Sequence, residues 1–419
     1  MATGTSDNAT SIDAIGRVSD LLHLSPQSLR ILHMIDTLSP DRGGPPEAVR
    51  QLIRGYQEIG ASIEVVCLDN PDAEFLRDIH CPVHALNQTF MGQYAFSPRL
   101  WKWLHRNVRR FDGVVMNGIW TFPGIALRSA ALRFATPYGV FIHGALDPWF
   151  NRQYPLKRLK KRIYWPAQYA VLRDALAVFF TTGTERDLAK TSFEPNAWNS
   201  VVVPYGIVEP DAGCCGPEEQ IKAFYKAVPE LEGRAFLLFM GRLHEKKGCD
   251  LLITAFAETA SQAKGVHLVV AGPDQVGLQK KLQAMAAELG IADRVHWPGL
   301  IGGDVKWGAF RACDAFILPS HQENLGVAVV EALSVGKPVL LSYPVNIWPE
   351  IENDGVGIAE EDTFAGTVRL LRRWFALPNA ERAAMSAKAM PCFEAKFSMK
   401  RAAIAINEAF RTAKAHQAW

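Results

Sequence analysis

The sequence predicts an α/β protein built as two successive halves, each on a parallel sheet. Short apolar runs alternate with amphipathic segments nearly throughout, the pattern of strands joined by helical crossovers. The alternation lapses over residues 205–233, a stretch with glycines, prolines and the pair Cys214-Cys215, and then begins afresh. At 419 residues the chain is long enough for two or three substantial cores. The domain organisation read from this is a leader at 1–25, a first domain at 26–208 and a connection at 209–233. A second domain follows at 234–396, with a closing helix within 397–419.

Bulk composition narrows the function classes. The chain is 48% hydrophobic and 21% charged with a formal charge of +2, an ordinary balance that argues against a nucleic-acid partner. No stretch reaches the roughly 18 uninterrupted apolar residues of a membrane span. Residues 1–25 lack the basic start and apolar middle of a signal peptide and read as a disordered leader. The seven cysteines form no Cys-x-x-Cys, so they read as reduced thiols of a cytoplasmic protein.

In the first half, strands are expected at 29–35, 63–68, 113–117, 138–143, 177–182 and 201–204. The first runs into Gly43-Gly44-Pro45-Pro46. Glycines let backbone approach a ligand closely and proline suits a first helical turn, although a plain tight turn explains the same residues. His143 closes the fourth strand, at the sheet edge where open α/β sheets bind ligands; a lone histidine there can also be a satisfied polar residue. Asp147, four residues on, can cap a helix or pair with an arginine.

Two basic stretches mixed with aromatics follow in the same half. Residues 99–110 carry Arg99, Lys102, Arg106, Arg109 and Arg110 around Trp101 and Trp103. Residues 152–173 run from Arg152 through Lys157, Arg158, Lys160, Lys161 and Arg162 to Arg173, with Tyr164 and Trp165 among them. Solvated helix faces account for such runs. The same composition also suits anionic lipid headgroups, and a peripheral contact with the inner membrane leaflet is the partner surface it implies.

In the second half, strands are expected at 235–240, 267–271, 295–297, 315–318 and 339–342, and helices at 247–259, 277–289, 305–313 and 326–335. A further amphipathic helix covers 398–415. Arg242 and Lys247 follow an apolar strand that ends in Gly241, which is where cations can meet phosphate; they also read as two exposed loop residues among 45 lysines and arginines. After the strand at 315–318, Glu323 sits in a turn and Glu331 within the next helix. Free N–H groups around Asn324, Leu325 and Gly326 can dock an anion, while two carboxylates there suit the hydroxyls of a sugar and a ribose.

Together, residues 236–248 and 319–333 resemble the retaining glycosyltransferases of family 4, whose signature Glu-x7-Glu is here Glu323 to Glu331. The stretch from His143 to Trp149 matches the HG-x-LDPW pattern of a subgroup, and Asn346-Ile347-Trp348 fits that subgroup as well. Gly336-Lys337-Pro338-Val339, Glu350, Gly355 and Gly357 also fit the family, and the resemblance covers nearly the whole chain after the leader. Leu325 stands where an aromatic is usual.

The resemblance implies the GT-B fold, two Rossmann-like domains facing each other across a cleft, with the last helix crossing back to the first domain. It implies a nucleoside diphosphate sugar donor, of mannose or glucose type, and a glycan or lipid-linked acceptor in exopolysaccharide or lipopolysaccharide assembly. His143 would face the reacting carbon, with Asp147 near sugar or acceptor. Glu323 would bind the donor sugar's hydroxyls and Glu331 the ribose. Arg242, Lys247, the Gly43-Gly44 loop and the backbone of Asn324, Leu325 and Gly326 would hold the diphosphate. The chain has no Asp-x-Asp, so neither a metal nor another cofactor is expected. Transfer would proceed with retention, departure and attack sharing one face. A non-catalytic nucleotide-sugar-binding subunit and a GT-B epimerase or hydrolase stand as alternatives.

Overall fold

The computed structural model describes residues 29–42, 44–87, 92–203, 205–207 and 215–415. The leader, Gly43, and the start of the connection lie outside them. The first sheet holds β1 (Arg30–Met34), β2 (Ser62–Cys67), β3 (Val83–Ala85), β4 (Gly113–Asn117), β5 (Tyr138–Phe141), β6 (Ala177–Phe180) and β7 (Ser200–Val202). All neighbours are parallel, in the order β3-β2-β1-β4-β5-β6-β7. The second sheet holds β8 (Phe236–Met240), β9 (His267–Ala271), β10 (Val295–Gly299), β11 (Ala315–Leu318), β12 (Val339–Ser342) and β13 (Gly357–Glu360). Its order is β10-β9-β8-β11-β12-β13, again parallel throughout.

Helices cover both faces of each sheet, which is why segments such as Phe236–Met240 and Ala315–Leu318 are continuously apolar rather than alternating. Strand order reverses between β1 and β4 in the first sheet and between β8 and β11 in the second. Crevices at the strands' carboxyl ends open at such switch points.

Four differences from the expected elements have physical causes. β3 is a three-residue edge strand, too short to show a period, and β13 is Gly-Ile-Ala-Glu, with little apolar content. β5 ends at Phe141, so His143 lies beyond the strand rather than on it. Residues 209–233, read as a connection, contain the helix Pro217–Ala227, which packs closely on the helix Gly303–Ala312 of the second domain. A Cβ on Gly308 would sit 1.9 Å from the Gln220 carbonyl oxygen, so only glycine allows that approach.

The closing helix Met399–Ala415 packs on the helix Gly44–Glu58 of the first domain. It buries Met399, Ala402, Ala403, Ile406 and Phe410. The two passages of chain between the domains meet at its start: Ile207 N–H donates to the Phe397 carbonyl at 3.1 Å, and Met399 N–H to the Ile207 carbonyl at 3.1 Å.

Candidate active site

The second sheet's switch point sets out the cleft. Past β8, His244 Nδ1 accepts from the Lys246 N–H at 3.1 Å and caps the tight turn Glu245–Lys247. Gly248 then takes φ +64°, and a Cβ there would lie 2.1 Å from the Pro319 carbonyl oxygen. That close approach brings the β8 loop against the loop after β11. His321 N–H and Ser320 Oγ both donate to the Lys246 carbonyl, at 2.8 and 3.0 Å. Glu323 is fixed in turn by its N–H to the Pro344 carbonyl and by its own carbonyl accepting from Asn346 N–H, each at 3.0 Å. The result is an ion pair, Lys247 Nζ donating to Glu323 Oε2.

Between the domains lies a cavity of about 760 Å3. The second domain contributes Arg242, Lys247, Lys306, Glu323, Gly326 and Glu331 to its wall, and the first domain contributes Gly44, Glu47, Arg54 and Tyr205. Glu331 is largely buried and pairs with Lys306 Nζ. Burial raises its pKa, while the Lys306 ammonium pulls the other way. Sequence reading missed Lys306, Arg54 and Glu47, which only the meeting of separate elements brings here.

The remaining expected residues lie elsewhere. Leu325 is packed in the apolar core, which leaves its backbone alone to meet a donor. Asn324 Nδ2 donates to Thr181 Oγ1 of the first domain at 3.2 Å. Asp147 caps the helix Pro148–Gln153, accepting from Trp149 N–H at 2.8 Å, and its other oxygen accepts from Gln322 Nε2 at 2.8 Å. The two neighbours of Glu323 thus both reach across to the first domain. A second interdomain cleft of about 930 Å3 opens beyond them, with Asp147, Trp149, Gln322 and Tyr343 in its wall.

His143 is partly exposed and takes φ +49°. Its ring stacks on Phe141 at 4.7 Å between centroids and meets Tyr205 edge-on at 5.9 Å. Its apolar surroundings lower its pKa to about 4, so the ring is neutral at pH 7. The turn it occupies is anchored by the buried Glu185, which accepts from Gly144 N–H at 2.6 Å and from Thr181 N–H and Oγ1 at 2.7 Å each. Burial raises the Glu185 pKa against these bonds. Among the described residues no group of three or more His, Cys, Asp or Glu side chains could hold a metal ion. Positive charge in the cleft comes from Arg54, Arg242, Lys247 and Lys306.

A wall of cations interleaved with carboxylates, at the switch point of one of two facing parallel-sheet domains, defines a GT-B protein. Solved structures share this fold. HepE of Anabaena, solved in complex with UDP and glucose, superposes with a TM-score of 0.70 at 19% identity, covering 92% of this chain and 100% of HepE. WaaG, a glycosyltransferase involved in lipopolysaccharide biosynthesis, gives 0.62 at 17% identity, covering 89% and 97%. Residues 221–389 match the family of glycosyl transferases group 1, and residues 43–206 match the glycosyl transferase 4-like domain. Both halves are thereby accounted for, and the chain belongs to the group 1, family 4-type glycosyltransferases.

Among relatives, a 2-deoxystreptamine glucosyltransferase of Streptomyces kanamyceticus is 29% identical over 213 residues, which is 50% of this chain and 54% of that protein. A D-inositol 3-phosphate glycosyltransferase of Streptomyces griseus is 36% identical over 127 residues, 29% of this chain and 27% of its own length. The chain thus matches about half or less of the length of these relatives.

Proposed function

We propose that this chain transfers a glycosyl group from a nucleoside diphosphate sugar to a glycan or lipid-linked acceptor, with retention and without a metal. The observation that carries this is the clustering of Arg242, Lys247 and Lys306 with Glu323 and Glu331 in one interdomain cavity. As the anomeric bond breaks, charge collects on the departing diphosphate. Arg242, as a planar fork, and Lys247, as a point charge, meet it without reorganising. Each such group typically contributes about 3 to 4 kcal/mol in the transition state. Glu323 accepts from sugar hydroxyls and Glu331 from the ribose. The acceptor attacks on the face the diphosphate leaves, and the leaving phosphate takes its proton.

The family itself, the glucosyltransferase relative and the UDP and glucose bound by HepE make UDP-glucose the first donor to assay, with GDP-mannose beside it. Thermal melts with each nucleotide, with and without EDTA, test the reading. Stabilisation by one nucleotide at 100 times its Kd amounts to about 2.7 kcal/mol and should survive EDTA. A response that EDTA abolishes would overturn the metal-free reading, and no response to any nucleotide would overturn the nucleotide-sugar site itself. Release of free sugar without transfer would point to a hydrolase.

A peripheral contact with the anionic inner leaflet is the second reading, supported by the helix Pro155–Arg173. Leu156, Leu159 and Ile163 are 80%, 60% and 73% exposed on its outer turns. Lys157, Arg158, Lys160 and Arg162 surround them and are exposed too. The other basic stretch suits a membrane less well, since Trp101 stacks on His105 and Trp103 lies against His84. Among the described residues no helix is long and apolar enough to cross a membrane.

A further inference from the structure

Behind His143 runs a hydrogen-bonded chain with no part in the steps above. Asn117 closes β4 at the first sheet's switch point and is buried. Its Nδ2 lies 3.3 Å from the Met34 carbonyl, 3.3 Å from the Val115 carbonyl and 3.2 Å from His33 Nδ1. Carbonyl oxygens only accept, so the amide nitrogen belongs on that side. The reversed amide would set its oxygen against two carbonyl oxygens in a buried site, where such repulsion is strong. Asn117 Oδ1 therefore faces His143 Nε2, at 3.2 Å. An amide oxygen only accepts as well, so Nε2 carries the imidazole proton and Nδ1 keeps the lone pair.

Nothing among the described residues donates to His143 Nδ1, and it is not one of the buried polar atoms left without a partner. The ring packs beside Tyr205, which lines the donor cavity. His33, Tyr205 and Glu185 are the titratable groups around the turn. None of them forms an ion pair with the ring.

We propose that Asn117 is a positioning residue that holds His143 as the Nε2-protonated neutral tautomer, so that His143 presents a hydrogen-bond acceptor, never a donor, to the donor sugar. The proposal rests on the transferase reading for the identity of that sugar. A lone pair at this place accepts from a sugar hydroxyl. It also favours the positive charge that grows on the sugar ring as the anomeric bond opens, whereas an imidazolium would oppose it. His33 supports the arrangement from behind. Its Nδ1 accepts from Asn117, which leaves its Nε2 buried and without a partner.

The tautomer is read without any donor. Long-range 1H–15N spectra of the full chain labelled at histidine nitrogen, with His143 assigned through His143→Asn, read the tautomer directly. At pH 7 the wild type should show His143 protonated on Nε2 alone. Asn117→Leu removes the acceptor, so a tautomer mixture should appear, and turnover should fall at least about tenfold with little change in donor KM. Asn117→Asp keeps an acceptor but adds a charge, so the ring should stay protonated on Nε2 and become imidazolium at a higher pH than in the wild type. A wild-type signal protonated on Nδ1, or an Asn117→Leu spectrum identical to wild type, overturns the proposal. If Asn117→Leu does not fold, the wild-type and Asn117→Asp spectra still decide. Absence of transfer to any acceptor, with the tautomer as expected, would sink the reaction and leave the positioning role standing.

Discussion

Lys247 and Glu323 lie 76 residues apart in sequence and meet as an ion pair where the β8 and β11 loops touch. Each is about one-sixth exposed, so each neutralises the other in a half-shielded setting. A bound donor competes for both: phosphate takes the ammonium and a sugar hydroxyl takes the carboxylate.

This exchange separates two variants. Glu323→Gln frees the ammonium, so UDP or GDP should bind at least as tightly as to the wild type while turnover falls about a hundredfold. Lys247→Met should weaken both nucleotide affinity and turnover. Calorimetry with the nucleotide and a transfer assay read the two quantities, and near-wild-type turnover in either variant would remove these residues from the site.

Gly248 holds the two loops together through backbone alone. Gly248→Ala forces a side chain into φ +64° and against the Pro319 carbonyl, and should cost at least about 2 kcal/mol. Gly233 has φ +73° but open space within 4 Å of where a Cβ would sit, so Gly233→Ala should cost only about 1 kcal/mol. Urea denaturation compares them, and equal losses would deny the loop contact its role.

His33 has a pKa lowered to about 3, chiefly by burial and secondarily by His143. Its folded pKa lies below the unfolded value of 6.5, so the unfolded chain binds the extra proton. Its stabilising contribution is therefore complete above pH 6.5 and is lost as pH falls towards 3, at about 1.4 kcal/mol per pH unit. His33→Gln should flatten the stability–pH slope between about pH 6 and 4 by about one proton. An unchanged slope would mean that His33 is not held neutral.

The outer turns of the helix Pro155–Arg173 predict a salt-sensitive surface contact. Leu159→Glu with Ile163→Glu should abolish co-sedimentation with phosphatidylglycerol vesicles while leaving the melting temperature unchanged, since both side chains are exposed. Wild-type protein that ignores such vesicles at low salt would rule the contact out.

Much of the second domain was legible because its strands are buried on both faces and so are apolar end to end: 267–271, 315–318 and 339–342 are the observed spans of β9, β11 and β12. The helix Pro217–Ala227 was not, because it buries little beyond Gln220 and Phe224 and lacks a sustained stripe. The site shows the same division. Arg242, Lys247, Glu323 and Glu331 stand at strand ends or in a spaced pair, which sequence displays. Lys306, Arg54 and Asn117 gain their places only from what folds against them. The burial of the Leu325 side chain was likewise not legible, since Gly326 beside it lines the cleft while the leucine side chain packs into the core.

The paired crossings at Ile207 and Phe397–Met399 have a mechanical consequence. Two passages of backbone bonded side by side predict that any relative movement of the domains is rotation about their common line rather than shear. The closing helix lies beyond that line and rides with the first domain. A fluorophore near its end would thus stay at constant distance from one in the helix Gly44–Glu58, and change distance only to one in the second domain.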